Sequence, residues 1–246
     1  MPAFSAGWRL SEEEFIRSLN IFSNLKLRGS WGKLGNQNIV SYWPYLTTIS
    51  QTDPLGYNFG GTFAPGAAVT ALVDPNISWE TSVTTDIGLE MGFLDNRISV
   101  EADYFKKTTS GIIVQLPIPL VLGGVTAPFE NVGEMVNNGF EFNINYSTPA
   151  ANRNQVGYSL GANLTYIVNE VTKFRGGKSP DQLYLIREGY SYNVLYGYKA
   201  IGIFQSDAEA QKYMPANGYQ PKAGDIKYED VNGDGLEDIY IGGAKD

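Results

Sequence analysis

Residues 79–93 alternate without a break. Trp79, Thr81, Val83, Thr85, Ile87, Leu89, Met91 and Phe93 interleave with Glu80, Ser82, Thr84, Asp86, Gly88, Glu90 and Gly92. Successive side chains of a strand point to opposite faces, so this period of two predicts a β-strand with one apolar and one polar face. Its fifteen residues far exceed the usual strand of about five or six. Such a strand needs two unlike environments along its whole length, and that requirement limits the folds open to the chain.

The pattern recurs. After a tight-turn composition at 94–96, Ile98, Val100, Ala102 and Tyr104 oppose Arg97, Ser99, Glu101 and Asp103, which completes a long antiparallel hairpin. A second hairpin sets Phe140, Phe142, Ile144 and Tyr146, then Val156, Tyr158, Leu160, Ala162, Leu164 and Tyr166, against polar partners. Phe4, Ala6 and Trp8, and Leu25, Leu27, Gly29 and Trp31, mark two more strands. The predicted strands are 3–10, 25–33, 79–93, 97–107, 139–147 and 155–167. Their connections are lopsided: 11–24, 94–96 and 148–154 are modest, whereas 34–78, 108–138 and 168–246 are long loops.

Amphipathic strands of about ten residues, with short turns at one end and long loops at the other, are the pattern of an outer-membrane β-barrel. A soluble β-sandwich also alternates, but with shorter strands and more even loops. In a barrel the apolar rows face outer-membrane lipid. Lys26, Arg28, Glu80, Asp86, Glu90, Arg97, Glu101, Asp103 and Glu141 then line a wet lumen. Trp79, Tyr104 and Tyr166 fall near the loop side and Phe93 and Tyr146 near the turn side, as interfacial girdles require. Six strands cannot close a barrel, so the chain is expected to be part of a larger one.

Composition narrows the chemistry. Cysteine and histidine are both absent, which excludes disulfides, the usual zinc sites and the Ser-His-Asp triad. With no phosphate-binding glycine motif either, an enzyme is not expected. A net charge of −8 argues against nucleic acid, whose phosphates need a basic surface. Residues 207–246 hold nine acids and four lysines, −5 of that total.

The acidic tail contains "DVNGDGLED" (230–238). Asp230, Asn232, Asp234, the carbonyl of Leu236 and Asp238 match the first nine places of an EF-hand loop and are candidate calcium ligands. Ile241 stands at the twelfth place, where a bidentate Glu belongs, so a calcium sensor is not expected. An ion here would pin a surface loop; a turn held by Asx hydrogen bonds without any ion is the other reading. Tyr42, Trp43 and Tyr45 cluster in the loop 34–78 and offer flat apolar rings on which sugars stack, or against which a partner packs. "SEEEF" (11–15) predicts a short helix capped by Ser11 with Glu14 completing a capping box.

Four stretches carry a further signal: "LKLRGSWGKLGNQNIVSY" (25–42), "WETSVTTDIGLEMGFLDNRISVEADYFKKTT" (79–109), "ENVGEMVNNGFEFNINY" (130–146) and "EGYSYNVLYGYKAIGIFQSDAEAQ" (188–211). Together with "PAFSAGWRLSEEEF" and "GDIKYEDVNGDG" they resemble, in family order, SusC/RagA-type TonB-dependent transporters of Bacteroidetes outer membranes. The resemblance implies a 22-stranded antiparallel barrel with a plug, powered through TonB, that imports oligosaccharides or peptides beneath a SusD-like surface lipoprotein. It further implies that plug, TonB box, signal peptide and last strands lie outside this chain, which alone is not expected to transport. Two positions depart from the family pattern: Ser110-Gly111 stand where an acid is common, and Glu237 where an apolar residue usually precedes the loop's final Asp. The alternative from the residues themselves is a soluble, calcium-stabilised β-sandwich that binds carbohydrate.

Overall fold

The computed structural model describes the chain except for residues 40–41, 149–155, 176–178, 182–183, 213–219, 230–238 and 242–246. It forms two compact units, Met1–Gly176 and Gly177–Asp246.

The first unit is built on one antiparallel sheet. Its strands are β1 (Ala3–Arg9), β2 (Asn24–Asn36), β5 (Glu80–Phe93), β6 (Ile98–Gln115), β7 (Phe129–Thr148) and β8 (Tyr158–Phe174), paired in that order. A separate hairpin of β3 (Ile49–Phe59) and β4 (Thr62–Val69) is inserted in the chain between the paired strands β2 and β5. Residues 10–23, 94–97 and 149–157 join the six strands at one end, and 37–79 and 116–128 at the other.

Register keeps the two faces apart across all six strands. Leu27 pairs with Leu89, Leu89 with Ala102, Ala102 with Phe142 and Phe142 with Leu164, a continuous apolar row. A slip of one residue in any pair would move a whole strand's apolar set to the other face, so the pattern itself enforces the register. Among the described residues the apolar face has no second layer: Leu27, Ile87, Tyr104, Phe140, Leu164 and Tyr166 are between 40% and 66% exposed. Buried apolar residues of this unit, among those described, are only Leu25, Val132 and Val171. A broad exposed apolar face is unstable in water, so this sheet calls for lipid on one side.

The strands outrun the alternation. The expected loop 108–138 is largely strand, since β6 continues to Gln115 and β7 starts at Phe129, and β8 continues from 167 to Phe174. Within 34–78 lie the end of β2 and the β3–β4 hairpin. The reason is visible in Lys106, Lys107, Thr108, Thr109 and Ser110, which are polar on both faces yet paired throughout. Ladder hydrogen bonds need no apolar row, so these strand halves carry no period-two signal. Tyr104 and Tyr166 therefore sit in mid-strand, at the step where the outward face turns polar, and not at the strand ends.

At the turn end, Leu94, Asp95 and Asn96 all take left-handed backbone conformations, with φ of 53°, 55° and 60°. The expected Ser11-capped helix is instead a 3₁₀ turn, Leu10–Glu12, followed by α1 (Glu14–Arg17), and no side chain caps either. Glu13 Oε1 accepts the Trp8 indole N–H at 2.8 Å, which ties the segment back to β1.

The second unit holds short strands: β9 (Ser179–Asp181), β10 (Tyr184–Ile186), β11 (Val194–Tyr198), β12 (Ala200–Ile203), β13 (Ile226–Tyr228) and β14 (Ile239–Ile241). Leu185, Val194, Phe204 and Ala210 are its buried apolar residues among those described. α2 (Asp207–Ala210) is capped by Ser206, whose Oγ accepts the Glu209 N–H at 3.2 Å. Here "SDAE" makes the cap that "SEEE" does not.

Candidate functional site

The polar face carries an ion network. Arg28 of β2 pairs with Gly88 of β5, which pairs with Asp103 of β6, so the three lie in one row. The Arg28 guanidinium spans that row: Nη2 is 2.7 Å from Asp103 Oδ1, Nε 3.2 Å from Glu90 Oε1 and Nη1 3.4 Å from Asp86 Oδ1. Lys26 Nζ adds a contact to Glu90 Oε1 at 3.1 Å. Crossing a strand to reach the one beyond is possible because Gly88 has no side chain. A Cβ there would collide with Asp103 Oδ1 and lie 2.8 Å from Arg28 Nε. Glu141 of β7 extends the Arg28 row beyond Asp103 and Glu101 lies in the adjacent Lys26–Glu90 row, so five acids face two bases and this stretch of wall is negative. Of the expected lumen set, Arg97 lies instead in the turn before β6, where its N–H bonds to Leu94 O at 3.2 Å.

The mouth of the sheet, at the loop end of β2 and β5, holds a cleft of about 780 Å³. Tyr42, Tyr45 and Trp79 give it apolar faces, and Asn36, Gln37 and Asn38 give it amides. None of its described lining residues is charged. Tyr42 is 94% exposed and Trp79 56% exposed, so both rings are accessible.

Side-chain hydrogen bonds hold this mouth. Glu80 accepts the Asn36 amide at 2.8 Å through Oε2 and the Ile113 N–H at 2.9 Å through Oε1, which joins β2, β5 and β6. Asn131 of β7 accepts the Ser78 N–H at 2.8 Å and donates to Ser78 O at 2.8 Å and to Gly111 O at 2.7 Å. A neutral, amide-and-aromatic cleft on a fixed frame suits an uncharged ligand with hydroxyls or amides over flat apolar faces.

The aromatic cluster of the sequence thus divides. Tyr42 and Tyr45 line the cleft, while Trp43 stands edge-on to Tyr45, centroids 6.3 Å apart at 72°. Trp79, expected in the membrane girdle, precedes β5 and lines the cleft instead. The amides follow no periodic pattern; "GNQN" beside an aromatic cluster is their signal in the sequence. The loop with Asp230, Asn232, Asp234, Leu236 and Asp238 lies outside the described residues. Ile241, its twelfth place, sits in β14 opposite Tyr196.

The family model for "TonB dependent receptor-like, beta-barrel" matches residues 1–237. The chain belongs to this TonB-dependent receptor family. The TonB-dependent receptor SusC of Bacteroides thetaiotaomicron is 33% identical over 181 residues, covering 73% of this chain and 18% of SusC. TonB-dependent receptor P3 of Formosa agariphila is 27% identical over 245 residues, covering 95% of this chain and 24% of the receptor. The RagAB peptide importer in its closed-closed state superposes with a TM-score of 0.71 at 23% identity, over 97% of this chain and 24% of that one. The RagAB peptide transporter gives 0.72 at 23% identity, over 93% and 25%. This chain therefore spans about a fifth to a quarter of the length of these TonB-dependent receptors. The family comprises outer-membrane transporters, not enzymes, and the sheet is part of such a barrel's wall. The soluble sandwich is set aside: the six strands form a barrel-type sheet with an apolar outer face.

Proposed function

We propose that this chain is a wall segment of a nutrient importer, with substrate captured at the mouth cleft and passed along the lumen face. The observation that carries this reading is the placement of the uncharged cleft at the loop end of a sheet whose outer face is apolar and inner face ionic. An oligosaccharide or a peptide is the substrate, met by Tyr42, Tyr45 and Trp79 with the amides of Asn36 and Asn38. A SusD-like lipoprotein lids the mouth from outside, in keeping with a SusC relative and the RagAB fold match. TonB supplies the energy through a region of the protein beyond this chain. Asp230, Asn232, Asp234, Leu236 and Asp238 serve as calcium ligands that stiffen an outer loop. Ile241 supplies no carboxylate at the twelfth place, so such a site binds weakly and needs a donor from elsewhere.

The test is uptake by cells that express the full-length receptor with Trp79→Ala and Tyr45→Ala. The expected result is a raised half-saturating concentration for oligosaccharide or peptide, about tenfold or more for a lost stacking face, with normal barrel assembly. Unchanged uptake of every nutrient tried would remove the cleft from the transport path.

A further inference from the structure

Two lysines stand one outward position above the aromatic girdle. On β2 the outward residues run Leu25, Leu27, Gly29, Trp31 and then Lys33; on β6 they run Val100, Ala102, Tyr104 and then Lys106. Trp31 pairs with Thr85, and Thr85 with Lys106, so in the ladder the Trp31 row is the Lys106 row. Barrel strands tilt by roughly 40°, and at about 4.8 Å between strands a level line drops by about one residue per strand. Two strands away from Trp31 the level residue is therefore Tyr104, and Lys33 and Lys106 share one height. On β7 the corresponding residue is Asn138, above Phe140 and paired with Lys106.

Both lysines are exposed, and among the described residues neither has an ion-pair partner. Thr85, exposed on the same face, adds a hydroxyl in the Lys106 row. Further along the strands the positive charge is offset: Lys173 pairs with Glu134 at 3.2 Å, and Glu170 lies on β8 beyond Val168, two strands from Lys106. The unpaired positive charge is confined to the height just above the girdle, where lipid headgroups lie.

We infer that Lys33 and Lys106, with Thr85, bind the phosphate of an outer-leaflet lipid headgroup, the two ammonium groups and the Thr85 hydroxyl donating to its oxygens. The site rests on the outer face meeting lipid and is independent of what the receptor imports.

The test uses the full-length receptor in phosphatidylcholine nanodiscs that contain a minor fraction of lipid A, with lipids retained on release counted by native mass spectrometry. Two lysines near an anionic headgroup correspond to a drop of about tenfold or more, so the K33Q/K106Q variant should retain lipid A that much less. Its folded, heat-modifiable gel band should persist, and K173Q should retain lipid A like the parent. Equal retention by parent and double variant overturns the proposal, as does an equal loss in K173Q, which would indicate bulk charge. Displacement of lipid A by millimolar inorganic phosphate alone also overturns it, since the site would then read free phosphate. If K33Q/K106Q loses the folded band, K33R/K106R and K106Q decide in the same assay: retention in the first with loss in the second supports the site, and the reverse overturns it.

Discussion

Arg28 and Asp103 form an ion pair, Nη2 to Oδ1 2.7 Å, across a strand to which neither belongs. Gly88 of the intervening strand makes the crossing possible. One residue thus links three strands on the lumen face while their opposite faces meet lipid. Removing Arg28 would leave Asp86, Glu90 and Asp103 without the cation they share, which costs more than the Asp103 pair itself contributes.

Gly88→Val is expected to destabilise the barrel by about 1–3 kcal/mol, the usual range for an overpacked site. Urea unfolding of the full-length receptor in detergent reads this directly. Gly88→Ala should act in the same direction, because even a Cβ meets Asp103 Oδ1.

Phe105 offers a second glycine-dependent contact. Its ring lies over Gly139, its cross-strand partner, and covers backbone that has no side chain of its own. Phe105→Ala is expected to cost about 1 kcal/mol, the scale of an aromatic cross-strand pair. Gly139→Ala should be harmful with Phe105 in place and nearly neutral once Phe105→Ala has removed the ring. A double-mutant cycle showing simple additivity would remove the contact from consideration.

Asn131→Ala should loosen the mouth without unfolding the wall. Its amide joins Ser78 to Gly111 by three hydrogen bonds of 2.7–2.8 Å. Faster amide exchange confined to residues near 78 and 111 is the expected outcome, together with weaker substrate capture. Asn131→Asp keeps the bond to the Ser78 N–H and loses both donated bonds, so its effect should be intermediate.

Glu209 gives the second unit a pH dependence. The Gln205 backbone N–H, 3.0 Å from Oε2, and the Lys227 ammonium, 3.3 Å from Oε1, hold its carboxyl below the ordinary value of 4.5, against a smaller opposing effect of desolvation. A depressed folded value means that the ionised group stabilises the fold above the unfolded value and that this contribution fades as pH falls through the folded one. Hydrogen exchange in 199–212 and 220–229 should therefore accelerate as pH drops below about 4.5, after correction for intrinsic rates. E209Q should show weaker protection at pH 7 and no such step.

The alternation at 79–93 exposed strand identity and face because burial on one side imposes a strict period. It could not expose the strand halves beyond Tyr104, since residues such as Lys106 and Lys107 are polar on both faces. Arg28, Gly88 and Asp103 were each visible as lumen positions, but their meeting depends on cross-strand register, which no single strand encodes. Tyr42 and Tyr45 were legible as an aromatic cluster; Trp79 was misplaced because its alternation continued that of β5, although the strand starts at Glu80. Glu80 and Asn131 act through partners 20 to 53 residues away, distances that local pattern does not bridge.

The chain has no cysteine, so single cysteines can be placed along β5 of the full-length receptor at Asp86, Ile87, Leu89, Glu90 and Met91, provided the rest of the receptor is also made cysteine-free. Each would carry a spin label whose collisions with oxygen and with a water-soluble nickel chelate are compared in lipid. If the sheet is barrel wall, labels at 87, 89 and 91 collide preferentially with oxygen, and those at 86 and 90 with the chelate. Equal access along the strand, or preferential chelate access at 87, 89 and 91, would contradict a lipid-facing outer row and with it the transporter wall.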